Sequence, residues 1–219
     1  MTEISLPYLC LLTDRKRFGA KLVEEVVRQA VDGGVGVVQL REKDLPSEQL
    51  LELANRLRSI TAGKALLIVN DRVDVALASD ADGVQLDEEA MPVSAVRRVA
   101  GEGLLIGRSI HGLEGALQAE RDGADFLIAG TIFPSMSHPG GPTAGLELLK
   151  QLGKDIGIPF LAIGGVTVEN AASVIRAGAF GVAVVGAIGG AEDPGQAARK
   201  LRETMERAWS VSAKRDMSR

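Results

Sequence analysis

The chain has 219 residues, of which 46% are hydrophobic and 25% are charged, and its formal net charge is −4. This balance is ordinary for a globular protein of one domain, and an acidic chain lacks the basic excess of nucleic-acid binders. No apolar stretch reaches the ~18 residues that a membrane span needs, and the N-terminus does not resemble a signal peptide. The only cysteine, Cys10, cannot form an intrachain disulfide. We therefore expect a cytoplasmic protein that binds neither nucleic acid nor membranes, and a homo-oligomer stays an open alternative.

Short apolar runs alternate with helix-like stretches along the chain. The predicted strands are residues 8–12, 35–40, 65–69, 83–86, 104–106, 126–129, 160–163 and 181–185. The predicted helices are residues 21–32, a stretch opened by Pro46, and residues 73–78, 93–99, 113–121, 146–152, 168–177 and 194–209. Continuous apolar strands are typical of a parallel sheet that is covered on both faces.

A small turn followed by an apolar run recurs along the chain, at residues 33–38, 80–84, 123–127 and 178–182. Each copy follows a helix-like stretch, as expected where a helix ends and a buried parallel strand begins. The repetition predicts an α/β fold, a single (β/α)8 TIM barrel, with its chemistry at the C-terminal rim of the strands. Residues 1–209 would form the barrel domain and residues 210–219 a polar tail.

Polar side chains occupy alternate positions where the second strand ends. Gln39, Arg41 and Lys43 would share one face of an extended segment. Two cations beside an amide suit a pyrophosphate or carboxylate ligand. The alternative is a salt-bridge patch with Glu42 and Asp44. We favour ligand binding because the group directly follows a buried strand.

Acidic and amide side chains follow the third and fourth strands. Asn70 and Asp71 end the third strand, and the Asp71 carboxylate could either bind Mg²⁺ or cap the next helix. The run Asp-Glu-Glu at residues 87–89 could also face a metal. We favour its interpretation as the entry of a helix, whose dipole stabilises acidic groups.

Glycine-rich stretches follow the last two strands. Gly164 and Gly165 precede the seventh predicted helix, and residues 186–190 precede the eighth. Glycines let the backbone approach a ligand and expose amide N–H groups, and in barrels these two loops often bind phosphate. We infer a phosphorylated small-molecule ligand.

A long loop at residues 130–143 carries several hydroxyl groups and one of the two histidines. Ser135 and Ser137 could bind phosphate oxygens. His138 could contact phosphate or transfer a proton if the loop closes over a ligand. The other histidine, His111, follows the fifth strand, and we interpret it as structural.

Ordered motifs over about residues 7–205 resemble those of the thiamine phosphate synthase and thiazole tautomerase superfamily. The matching stretches are residues 39–43 (QLREK), 70–76 (NDRVDVA), 107–111 (GRSIH), 132–135 (IFPS), 162–166 (AIGGV) and 184–188 (VVGAI). The resemblance implies a TIM barrel that acts in thiamine biosynthesis on a thiazole phosphate.

In the synthase branch, an aminopyrimidine pyrophosphate loses pyrophosphate and is captured by the nitrogen of a thiazole phosphate. The resemblance assigns the pyrimidine and pyrophosphate to Gln39, Arg41, Lys43 and Asn70. It assigns Mg²⁺ to Asp71 and the reacting region to Ser109. It assigns the thiazole phosphate to the backbone around Gly165, Val185 and Gly186.

Two stretches depart from the synthase pattern. Synthases usually carry His-x-Gly-Gln-Glu-Asp after the fourth strand, and the last Asp is a second Mg²⁺ ligand. Here the stretch begins at Gln85, and Ala90 stands in the ligand position. The loop after strand six usually ends in Thr-x-Thr-Lys, whereas residues 135–138 read Ser-Met-Ser-His. Both departures weaken the expected binding of pyrophosphate and metal.

Two other functions stay open. Residues 84–86 and 107–120 look more like the tautomerase branch, which moves a proton within a thiazole carboxylate phosphate without a metal. Its catalytic histidine would fall at Thr131, and His138 could replace it. The missing Mg²⁺ ligand also suggests a non-catalytic regulator that binds thiazole or thiamine phosphate. The retained pyrophosphate motif leads us to favour the synthase, with Mg²⁺ as its cofactor and the two phosphorylated substrates as its partners.

Overall fold

The computed structural model describes residues 5–135 and 140–216. The strands are Tyr8–Leu12 (β1), Val37–Leu40 (β2), Leu66–Asn70 (β3), Gly83–Leu86 (β4), Leu105–Ile110 (β5), Phe126–Ala129 (β6), Phe160–Ile163 (β7) and Gly181–Val184 (β8). The helices are Val23–Asp32 (α1), Ser47–Thr61 (α2), Val73–Ala78 (α3), Val93–Ala100 (α4), Leu113–Arg121 (α5), Gly145–Asp155 (α6), Val168–Arg176 (α7), Gly186–Gly189 (α8) and Pro194–Asp216 (α9).

The strands form a closed barrel in which each pairs in parallel with its neighbours in the chain, in the order β1 to β8. Closure comes from β8, whose Gly181 and Ala183 pair with Tyr8 and Cys10 of β1. The predicted TIM barrel is therefore confirmed. Since all strands run the same way, their carboxyl ends meet at one rim.

The alternate residues of β1 explain why this strand is apolar on both faces. Leu9 and Leu11 belong to the large core between the barrel and the helices. Cys10 and Leu12 belong to a smaller core inside the barrel. Both faces of the strand are removed from water, so neither face can carry the polar side chains of a half-exposed strand.

Two of the four repeated turns, at residues 80–84 and 123–127, contain an aspartate that fixes the turn to the preceding strand. Asp82 accepts hydrogen bonds from the Leu67 amide of β3, at 2.7 Å, and from Arg58 of α2, at 2.6 Å. Asp125 accepts in the same way from the Ile106 amide of β5, at 2.7 Å, and from Arg97 of α4, at 2.6 Å. Each aspartate thus joins a strand, a helix and a turn, which accounts for the recurrence of this residue in the sequence.

Two helices differ most from their predictions. The glycine-rich stretch after β8 contains the short α8, Gly186–Gly189, where a loop was expected. The last helix, α9, continues to Asp216 instead of ending near Trp209, since no Gly or Pro follows Gly195 to stop it. Trp209 packs on Phe180, with ring centroids 5.8 Å apart, and so fixes α9 to the start of β8. Across the described ranges, no helix is both long and apolar enough to cross a bilayer.

Barrel closure requires glycine at position 181. A Cβ atom there would lie 2.0 Å from the Tyr8 carbonyl oxygen. We predict that Gly181→Ala lowers the free energy of unfolding by about 1–3 kcal/mol, the usual cost of overpacking. The matched control is Gly103→Ala, since no atom lies within 4 Å of a Cβ at Gly103. Urea titrations of both variants would measure the difference, and equal stabilities would contradict this role of Gly181.

Candidate active site

A cavity of about 1250 Å³ opens at the C-terminal rim of the barrel. It is lined by every predicted site residue that the structure describes, namely Gln39, Arg41, Lys43, Asn70, Asp71, Ser109, Ser135, Gly165, Val185 and Gly186. The predicted Ser137 and His138 lie outside the described residues. The residues come from the ends of six different strands or the loops that follow them, so the closed barrel brings distant parts of the chain to one site.

A chain of hydrogen bonds connects the ends of β2, β3 and β4. Gln39 Nε2 donates to Asn70 Oδ1 at 2.9 Å, and Asn70 Nδ2 donates to Asp71 Oδ2 at 2.8 Å. The Asp87 amide then donates to Asp71 Oδ1 at 2.8 Å. Gln39 is 2% exposed and Asn70 is 6% exposed, so protein contacts fix the orientation of both amides.

Asp71 faces the cavity and does not cap the following helix. Its φ of 58° lies in the left-handed region, which Asp adopts more readily than most residues. The cap position of α3 is Arg72, and no side chain makes a capping hydrogen bond there. Of the alternatives for Asp71, the structure therefore supports a ligand-facing carboxylate.

Asp87 also lies in the cavity, so the favoured interpretation of residues 87–89 as a helix entry is wrong. Helix α4 begins only at Val93, and its first turn contains no acidic residue. Arg108 of β5 holds the intervening loop by donating to the Glu88 carbonyl at 2.5 Å and the Met91 carbonyl at 3.1 Å. This anchoring leaves Asp87 beside Asp71, where it forms an ion pair with Lys43.

The two carboxylates perturb each other. Burial, together with the negative charge of Asp87, raises the pKa of Asp71 above its usual value. For Asp87, burial acts towards a higher pKa, but the ion pair with Lys43 outweighs it and lowers the pKa. A cation bound beside two neighbouring carboxylates would reduce their mutual repulsion and stabilise the charged form of both.

Asp71 and Asp87 fit the way in which Mg²⁺ is usually held, by one or two carboxylates and by the phosphate oxygens of a substrate. Within the described part of the chain, no group of three or more His, Cys, Asp or Glu side chains is placed to hold a metal. The donor set therefore suits a metal that arrives with a phosphorylated ligand better than a fully protein-bound metal.

The two cations that follow β2, Arg41 and Lys43, line the cavity. Glu42 and Asp44, their alternative partners, pair with Arg15 instead, at 3.0 Å and 2.7 Å. Arg41 is held by its amide, which donates to Thr13 Oγ1 at 2.9 Å. Its guanidinium contributes to the low pKa of Asp87. The salt-bridge patch thus exists, but it does not include Arg41 or Lys43.

Glycines shape the opposite side of the rim. Gly164 and Gly165 have φ values of 99° and 62°, and a Cβ at Gly165 would lie 2.4 Å from the Pro134 carbonyl oxygen. At Gly186, the first residue of α8, no atom lies within 4 Å of a Cβ. These three glycines line the cavity, and no side chain of theirs screens the backbone from a ligand.

Two polar contacts at the cavity were not anticipated from the sequence. Gln85 Nε2 donates to Ser109 Oγ at 3.0 Å from within the barrel. The sequence signal for this contact is a polar residue in the otherwise apolar strand Gly83–Leu86. His111, interpreted above as structural, lines the cavity with Nδ1 2.7 Å from Glu88 Oε2.

Known proteins resemble the chain over most of its length. Residues 9–188 match the model of the family described as thiamine monophosphate synthase. The thiamine-phosphate synthase of Roseiflexus castenholzii is 45% identical, over 87% of this chain and 85% of its own length. That of Pyrococcus furiosus is 43% identical, over 90% of this chain and 94% of its own length. A solved structure named thiamine phosphate pyrophosphorylase, from Pyrococcus furiosus, has a TM-score of 0.85 at 42% identity and covers 92% of this chain and 96% of its own.

A carboxylate at position 186 should exclude a phosphorylated ligand. Because a Cβ at Gly186 meets no atom within 4 Å, Gly186→Asp should fold normally while placing a negative charge in the cavity. We expect at least a ~10-fold loss of affinity for thiazole phosphate, measured by calorimetry. Gly186→Asn is the isosteric neutral control and should bind more tightly than Gly186→Asp. Equal affinities of the two variants would contradict the binding of phosphate at this side of the rim.

Proposed function

The chain belongs to the thiamine monophosphate synthase family, and we propose that it is a thiamine-phosphate synthase. It would join 4-amino-5-hydroxymethyl-2-methylpyrimidine pyrophosphate to thiazole phosphate and release pyrophosphate. One observation carries the proposal beyond family membership. A single cavity has cations and paired carboxylates at the ends of β2 to β4 and glycine-rich backbone after β7 and β8. In a closed barrel these strands lie on opposite sides, which suits two phosphorylated substrates that meet in the middle.

The pyrimidine pyrophosphate would bind on the side of β2 to β4. Arg41 and Lys43 would neutralise the pyrophosphate oxygens, while Asp71 and Asp87 would hold Mg²⁺. When bound, Mg²⁺ supplies positive charge that stabilises the departing pyrophosphate. Gln39 Oε1 is buried and has no hydrogen-bond partner among the described residues, so it is available to accept from the amino group of the pyrimidine.

The reaction breaks the bond between the pyrimidine methylene carbon and the pyrophosphate oxygen, and the electron pair leaves with pyrophosphate. The lone pair of the thiazole nitrogen then forms the new bond to that carbon. Arg41 and Lys43 lie where negative charge develops on the leaving pyrophosphate. Their positive charges lower the activation barrier to cleavage of the bond. The backbone near Gly165 and Gly186 would orient the thiazole by holding its phosphate.

The direct test is turnover by the purified protein with both substrates, with and without Mg²⁺. The proposal requires thiamine phosphate and pyrophosphate to form in equal amounts, and only when Mg²⁺ is present. Absence of product beside an active control enzyme would contradict it. Metal-independent tautomerisation of a thiazole carboxylate phosphate would then identify the tautomerase. Tight binding of thiazole phosphate without any turnover would identify a regulator.

Arg41 should serve the pyrophosphate and not the thiazole. We expect Arg41→Ala to lower kcat/KM for the pyrimidine pyrophosphate by ~100-fold, as for loss of one group that stabilises transition-state charge. The affinity for thiazole phosphate should hardly change. Lys16→Ala is the control, since Lys16 is a neighbouring cation that pairs with Asp44 outside the cavity lining. Equal losses for both substrates would argue against this role of Arg41.

A further inference from the structure

We propose that Gln85 is a positioning residue that directs the hydroxyl proton of Ser109 into the active-site cavity. The inference rests on the proposed synthase function, since it concerns how the same cavity is prepared for its ligands. It assigns a role to a buried side chain that does not itself line that cavity.

The hydrogen bond between the two residues fixes which atom of Ser109 is free. Gln85 Nε2 donates to Ser109 Oγ at 3.0 Å. A hydroxyl has one proton to donate and two lone pairs to accept with, and this contact uses a lone pair. The proton of Ser109 is therefore available to a ligand in the cavity that Ser109 lines. A donated hydrogen bond there would stabilise an anionic group of the ligand.

Neighbouring strands leave room for the Gln85 amide. In the barrel, Gln85 of β4 pairs with Gly107 of β5. A Cβ at Gly107 would lie 2.2 Å from Gln85 Oε1 and 2.3 Å from the ring of Phe126. Any larger residue at position 107 would displace the amide from beneath Ser109. The position of the Gln85 amide therefore depends on glycine at position 107.

The Gln85 amide contributes little to stability by itself. Gln85 is 1% exposed, and its Oε1 has no hydrogen-bond partner within residues 5–135 and 140–216. A buried polar atom without a partner destabilises the folded state. The hydrogen bond that the amide donates goes to Ser109, a residue of the cavity. A buried amide that destabilises the folded state and yet binds a cavity residue is expected to have its role in the site.

The experiment compares Gln85→Met, which keeps the length of the side chain without its amide, with Gln85→His, which keeps an N–H donor. Gln85→Met should lower kcat about 10-fold to 100-fold, the usual effect of losing a group that orients a site residue. The KM for thiazole phosphate should stay nearly constant, and Tm should stay constant or rise. Gln85→His should recover much of the lost turnover. The control Gln118→Met makes the same change at an exposed position of α5 and should have no effect.

A double-mutant cycle separates positioning from a merely structural role. In the Ser109→Ala background, Gln85→Met should cause no further loss of kcat. An undiminished effect in that background, or unchanged kcat in Gln85→Met alone, would overturn the proposal. If the unaltered protein has no turnover, the proposed function fails, and the contact is tested by NMR instead. Ser109→Ala must then shift the side-chain amide signals of Gln85, and unshifted signals would overturn the proposal.

Discussion

The hydrogen-bond chain from Gln39 through Asn70 to Asp71 is the constraint on which the site depends. It ends at the amide of Asp87, so it joins three successive strand ends of the barrel. Barrel closure sets the spacing of these strands, and the chain of hydrogen bonds turns that spacing into fixed side-chain directions. Asp71 consequently has one orientation, and Asp87 is held beside it while Lys43 balances its charge. Charged groups that are already in place stabilise the charge that develops in a transition state, because they need not move during the reaction.

Other polar groups at the rim likewise hold side chains and loops of further strands in fixed positions. Arg108 fixes the loop that carries Asp87, and Gln85 fixes Ser109 from below. The glycines after β7 and β8 provide backbone on the side opposite the ends of β2 to β4, which provide charged side chains. The cavity is thus charged on one side and lined by glycine-rich backbone on the other. This difference suits a transfer between two phosphorylated substrates, of which only the pyrimidine loses its pyrophosphate.

Much of this arrangement could be predicted from the sequence because it follows from short-range patterns. Continuous apolar runs after repeated small turns predict buried parallel strands, and polar residues at strand ends predict the rim. The position of Asp87 could not be predicted in this way. It depends on Arg108, from the next strand, which binds the carbonyls of Glu88 and Met91 in the loop between β4 and α4. The contact of Gln85 with Ser109 likewise depends on the register of β4 against β5, which no local pattern specifies. The roles of Ser137 and His138 stay predictions.

The account is tested most directly by a crystal structure of the protein grown with Mn²⁺, as a substitute for Mg²⁺, and pyrophosphate, the expected product. Anomalous scattering would locate the metal. The account predicts a metal bound by Asp71 and Asp87, with pyrophosphate against Arg41 and Lys43 on the same side of the rim. Pyrophosphate bound instead at the glycine-rich loops, or a metal held by Glu88 and Glu89, would contradict the division of the cavity on which the proposed function rests.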